Sequence, residues 1–135
     1  MSQENVRLVR AAFENFLAGG RSWGAELLDR EIEWDASDVT LLDIGGRVYH
    51  GPEGAQEFWR DWLAAWEAVQ FEYRLVDAGD RVVALIDQRM RGRSTGIEVP
   101  FGKYAHVYTF RDGLIVHWKL YRSQSEAREA VGLRE

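Results

Sequence analysis

Three groups of residues in this chain have types and spacings suited to chemistry. Asp87 and Arg89 stand two apart in the run Val82 to Met90, so in a strand they share a face, with Val83 and Leu85 before them. They are the parts of an acid paired with an orienting cation, and both are candidate catalytic residues. The competing reading is a surface ion pair worth under about 1 kcal/mol, and Arg91 continues that face toward solvent or an interface. Tyr104, His106 and Tyr108 form a second row, together with Phe110. A neutral imidazole between phenols can act as acid or base, or hydrogen-bond a carbonyl or phenol near neutral pH. An aromatic row equally suits a buried sheet face or a dimer interface. Asp35 is the third candidate. Alternation puts it with Glu33 on the face opposite Ile32 and Trp34, which favours a surface carboxylate. His50 and His117 stand apart, and no histidine pair has helical or strand spacing suited to a metal, so no metal site is expected.

The elements that must position these residues are legible from periodicity. Val6, Val9, Phe13, Phe16 and Leu17 recur at helical spacing until Gly19-Gly20. Ser22 is a plausible N-cap for a second short helix in which Trp23, Leu27 and Leu28 share a face, ending near Asp29-Arg30. Glu31 to Asp35 alternates as a strand with Ile32 and Trp34 inward. A third helix starts at Gly51-Pro52-Glu53, where proline suits the first helical position and the glutamate suits the helix dipole. Its apolar stripe runs through Ala55, Phe58, Trp59, Trp62, Leu63 and Trp66. This stripe reads as core packing against a sheet, with one indole, Trp59, available to line a cavity. Four long strands follow: Phe71 to Leu75, Val82 to Met90, Val99 to Phe110, and Leu114 to Tyr121. The last two flank Asp112-Gly113, a strong hairpin signal because both central residues of a type I′ turn need positive φ. Helices segregated from an antiparallel sheet predict an α+β architecture.

The 135 residues fit a single domain with a real core. With no cysteine, disulfides, thiol nucleophiles and thiolate metal sites are excluded. A net charge of -5, with basic residues dispersed apart from Arg89, Arg91 and Arg93, argues against nucleic acid as a partner. No apolar run approaches the roughly 20 residues that span a bilayer, and Met1-Ser2-Gln3-Glu4 lacks the blocks of a signal peptide. The expectation is a soluble, cytoplasmic protein that needs no membrane.

The order of elements resembles SnoaL-like proteins of the nuclear transport factor two superfamily. So do Glu33-Trp34-Asp35, the segment Tyr49 to Gly54, the segment Ala78 to Val83, the segment Arg91 to Gly96, Phe110 to Gly113, and Glu126-Ala127 through Gly132-Leu133. The resemblance covers nearly the whole chain. It implies a conical α+β barrel, a curved sheet wrapped around helices with a pocket at the wide end, and commonly a homodimer through the sheet. Relatives include polyketide cyclases, ketosteroid isomerase, limonene epoxide hydrolase and members that only bind. Where chemistry occurs, a buried carboxylate acts as base beside fixed donors, as in ketosteroid isomerase, with no cofactor. Asp87 with Arg89 resembles the acid-arginine arrangement of the epoxide hydrolase, in which the carboxylate activates water.

Many SnoaL-like sequences carry aspartate two residues after the tyrosine that is Tyr121 here; this chain has Ser123. Ser123-Gln124-Ser125-Glu126 is a capping box, so the position makes sense as structure alone. Two functions remain open. One is a pocket protein binding a small oxygenated hydrophobic molecule through Trp34, Trp59, Tyr104, Tyr108, Trp118 and Tyr121. The other is a cofactor-independent isomerase, cyclase or hydrolase using Asp87 with Arg89, or His106 with Tyr104 and Tyr121.

Overall fold

The computed structural model describes residues 2–18, 24–38, 40–41 and 44–133. Helix α1 (Ser2–Leu17) buries Val9, Ala12 and Phe13, with Val6 and Phe16 packed against the same core. Gly19-Gly20, Ser22 and Trp23 lie outside the described residues. Of the second helix expected from Ser22 to near Asp29-Arg30, the described part holds one 3₁₀ turn, Ala25–Leu27, and Leu28 and Asp29 already belong to strand β1 (Leu28–Asp35). Long-range pairing explains the difference: Leu28 is in register with Ile115 of a distant strand, and that ladder overrides a local helix signal.

Two two-residue strands, β2 (Thr40–Leu41) and β3 (Ile44–Gly45), form a small separate ladder, and β4 (Val48–His50) pairs with β1. Helix α2 (Gly51–Ala65) carries Pro52 in its first turn and buries Ala55, Phe58 and Trp62. It stops one residue short of the sequence expectation. Trp66 has extended backbone and opens β5 (Trp66–Ala78), its N–H closing the last helical bond to the Trp62 carbonyl while its partner in the sheet is Gly92. An aromatic residue suits either stripe or strand, and the hairpin partner decided it.

Strands β6 (Arg81–Gly92), β7 (Glu98–Arg111) and β8 (Leu114–Tyr121) complete a six-stranded sheet in the order β4-β1-β8-β7-β6-β5. The sheet is mixed rather than wholly antiparallel, because β1 runs parallel to β8. It curls into a half-barrel around α1 and α2, giving the α+β cone architecture. Asp112 (φ 54°) and Gly113 (φ 80°) make the tight turn between β7 and β8, both in the left-handed region that such a turn demands.

Alternation sorts each long strand into two faces. Val82, Ala84, Ile86 and Met90 of β6, with Tyr104, Tyr108 and Phe110 of β7, face the helices. Val83, Leu85, Ala105 and Val107 face the other way and are covered by Ala127 of α3 (Gln124–Ala130). The Ser123 hydroxyl accepts the Glu126 backbone N–H at 3.2 Å, which is the expected N-cap. The helix ends at Gly132 (φ 82°), where Leu133 N–H bonds the Arg128 carbonyl and Gly132 N–H bonds that of Glu129, a Schellman closure. The Gln124 side-chain amide also donates to the carbonyls of Ile86 (3.1 Å) and Tyr104 (3.3 Å), tying α3 to two strands at once.

Candidate functional site

A cavity of ≈ 60 Å³ lies between the helices and the inner face of the sheet. Phe13, Phe16 and Leu17 of α1 line it, with Trp59, Trp62 and Leu63 of α2, Trp66 and Phe71 of β5, Gln88 and Met90 of β6, and Tyr104 and His106 of β7. The apolar positions follow from simple rules: helical spacing brings Phe13 and Phe16 to one face, and period-two spacing does the same for Gln88 with Met90 and Tyr104 with His106. Drug-sized sites occupy about 300–1,000 Å³, so this space suits a compact molecule.

The polar groups in the lining are few and buried. Gln88 Nε2 donates to Tyr104 Oη at 2.7 Å across the β6–β7 pair. His106 Nδ1 lies 2.9 Å from Tyr108 Oη, and among the described residues its Nε2 makes no hydrogen bond. If the Tyr108 hydroxyl donates to Nδ1, Nε2 carries the ring proton; if Nδ1 donates, Nε2 is an acceptor. Burial lowers the His106 pKa to about 3, so the ring is neutral at physiological pH. Burial also pushes the phenols of Tyr104 and Tyr108 well above their ordinary value, so both stay protonated. The indole Nε1 atoms of half-buried Trp59 and buried Trp66 are inaccessible and have no hydrogen-bond partner among the described residues.

Of the ligand-binding residues expected from sequence, Trp59 and Tyr104 line the cavity, and so does His106, expected as a catalytic candidate. Trp34, Tyr108 and Trp118 lie behind it, each wholly buried, with the Trp34 and Trp118 rings stacked at 4.1 Å and 8°. These two residues are register partners on the parallel strands β1 and β8, which is why their rings stack. His106 packs on Trp118 at 4.8 Å between ring centroids, so this core forms the wall that supports the imidazole. Tyr121 is on the outer face, packed near Leu85 and Val107 and under Lys119 Nζ at 5.2 Å from its ring.

Asp87 and Arg89 also project on the outer side of the sheet, exposed, away from the cavity. Arg89 faces Glu98 at 3.7 Å rather than Asp87. The reason is register: the inward set on β6 is Val82, Ala84, Ile86, Gln88 and Met90, so the odd-numbered positions beyond Leu85 meet solvent. Asp35 is on the outer face as alternation predicts. Burial pushes its carboxyl up, but bonds from the Ser37 hydroxyl (2.6 Å) and backbone N–H, and from Lys119, outweigh this and hold it below the usual value. His117 sits 3.8 Å from Glu33 on that side. Among the described residues no cluster of histidine, aspartate and glutamate could hold a metal ion, and no helix is long and apolar enough to cross a membrane.

The polar cavity-lining residue that sequence reasoning passed over is Gln88. Its signal was available: Asp87, Arg89 and Arg91 share one face, and a row of three charges marks the solvent side, leaving Gln88 and Met90 inward. The contributions of Phe13, Phe16, Trp62, Leu63 and Phe71 were visible only as apolar stripes.

A cone of helix and curled sheet enclosing an apolar cavity defines a class of small pocket proteins built on the α+β half-barrel. Within it, residues 9–118 match the model of the SnoaL-like domain, and the chain belongs to that family. No curated protein matches it. Among solved structures it is similar to a proposed isomerase from Bacillus subtilis (18% identity, 96% of this chain and 94% of that one, TM-score 0.71). An NTF2-like protein of unknown function from Burkholderia pseudomallei is similar at 20% identity, over 96% of this chain and 98% of that one, with a TM-score of 0.68. A proposed SnoaL-like polyketide cyclase from Mesorhizobium loti is similar at 19% identity over 85% of this chain and 96% of that one, TM-score 0.65. At these identities the likeness is one of fold.

Proposed function

We propose that this protein binds a compact, uncharged, hydrophobic molecule bearing oxygen, and that it does so without transforming it. The observation that carries this reading is the cavity itself: a lining of aromatic and aliphatic side chains with Gln88, Tyr104 and His106 as convergent polar groups. Asp87 and Arg89, the acid and cation of the sequence, are exposed and lie outside the cavity lining.

The catalytic alternative rests on His106. A general base works best with a pKa near the operating pH, and an imidazole whose conjugate acid has a pKa of about 3 takes up a proton poorly. The same neutral ring is well suited to hydrogen-bond a ligand. A homodimer through the outer sheet face belongs to this proposal, and sedimentation velocity tests it.

Tryptophan fluorescence and thermal denaturation with a panel of small ketones, lactones and epoxides test the binding reading, since Trp59, Trp62 and Trp66 all line the cavity. Saturable quenching with a raised melting temperature, weakened in His106→Ala, is the expected result. Binding unchanged by His106→Ala would remove this cavity from the proposal. Product formation from any panel member would replace binding with catalysis.

A further inference from the structure

Strand β5 is the outermost strand on its side of the sheet, and among the described residues no strand pairs with its free side. One side chain shows which backbone groups stand there. The Gln124 amide reaches the carbonyls of both Ile86 (3.1 Å) and Tyr104 (3.3 Å), residues directly opposite each other on β6 and β7. Both carbonyls therefore turn into the β6–β7 seam, since carbonyls turned apart would lie too far from one another for a single nitrogen to reach. In an antiparallel ladder a residue turns its N–H and C=O to the same side, and two opposite residues turn theirs either together or apart. Tyr73 is opposite Ile86, so it turns both groups away from β6, and Phe71 and Leu75 do the same by alternation. The free side of β5 is an open ladder of donors and acceptors.

The side chains around Tyr73 are their own complement. Glu72 and Arg74 are exposed on the outer face, and neither has an ion-pair partner among the described residues. Within the sheet Glu72 instead lies opposite Asp87, a like charge. Phe71, Tyr73 and Leu75, on the inner face, are only partly buried. An antiparallel strand of the same sequence, centred Tyr73 on Tyr73, sets Glu72 opposite the partner's Arg74, Arg74 opposite the partner's Glu72, and Phe71 opposite the partner's Leu75. Edge charges normally discourage pairing, but in this register each meets its opposite.

We propose that β5 is a self-pairing edge, through which two copies of the chain join antiparallel from Gln70 to Val76 about a two-fold axis at Tyr73, making one continuous sheet. This surface is distinct from the outer sheet face and does not depend on the binding function proposed above.

The test combines sedimentation equilibrium with NMR amide exchange of the full-length chain, from micromolar to millimolar protein. The amides of Phe71, Tyr73 and Leu75 should gain protection as concentration rises. Glu72→Arg alone, or Arg74→Glu alone, sets like charges opposite each other at two symmetric places and should weaken association about tenfold or more. The double exchange of Glu72→Arg with Arg74→Glu restores opposite charges and should recover most of the affinity. Circular dichroism confirms that each variant is folded, and the recovery itself excludes damage to the fold as the cause of the loss. A chain that stays monomeric at millimolar concentration overturns the proposal. Association without concentration-dependent protection of these three amides also overturns it, by assigning the contact to another surface. Single and double variants that are equally weak, or all as strong as the parent, overturn the register centred on Tyr73.

Discussion

Gln88 and Tyr104 meet across β6 and β7 at 2.7 Å, the amide donating to the phenol oxygen, in the wall of an otherwise apolar cavity. Both are nearly inaccessible to solvent, at 4% and 6%. A buried polar group that loses its partner costs about 1–3 kcal/mol, whereas removing both partners together costs much less. Gln88→Leu and Tyr104→Phe should therefore each destabilise the fold, and the double variant should be less damaged than their sum by about 1 kcal/mol or more. Urea denaturation in a double-mutant cycle measures that coupling. Strict additivity would show that the pair is not energetically linked.

His106 gives the fold an acid sensitivity of predictable sign. Its native pKa, about 3, lies below the unfolded value of 6.5, so below pH 6.5 the unfolded chain binds a proton that the native state refuses. Stability should fall with decreasing pH between 6.5 and about 3, with a contribution on the order of 1 kcal/mol per pH unit from this residue. His106→Phe should flatten that part of the curve. Denaturant midpoints measured at several pH values decide it, and an unchanged slope in the variant would place the acid sensitivity elsewhere.

Ser123 should behave as a helix cap and nothing more. Ser123→Ala removes the acceptor of the Glu126 N–H and should cost about 1 kcal/mol, while Ser123→Asp should restore the cap to within a few tenths. Neither should alter ligand affinity in the fluorescence titration. A binding defect in Ser123→Ala at full folding would assign this position to the site.

Asp87→Asn and Arg89→Ala should leave stability within about 0.5 kcal/mol of the parent, as surface changes do, and should leave ligand affinity unchanged. Both side chains are exposed on the outer sheet face, with Arg89 beside Glu98 at 3.7 Å. Loss of ligand binding in either variant, measured by the same titration, would contradict the inward set of residues on β6.

The two faces of β6 show why sequence reading stops where it does. Val82 to Ile86 is apolar at every position, because the even residues pack on α1 and α2 while Val83 and Leu85 pack under α3. A strand buried on both faces has no alternation to read. Within Val82 to Ile86 the helix-facing set is therefore unreadable from the sequence, and only the charged row Asp87, Arg89 and Arg91 beyond it marks the outer side. Trp66 shows the same limit at a boundary, since its apolar character satisfied a helical stripe and a strand equally.

By itself the sequence determined the α1 and α2 stripes, the Asp112-Gly113 hairpin, the Ser123 cap and the inward set on β1, because each depends on local backbone preference or on a period of a few residues. It also supplied the motifs that resemble the SnoaL-like family. Only the tertiary structure decided that β1 lies parallel beside β8, so that Trp34 stacks on Trp118 and becomes core rather than pocket. Only packing left space beside Trp59, Trp66, Gln88, Tyr104 and His106, because a void is set by how far distant side chains fail to fill a volume, which no spacing along the chain encodes.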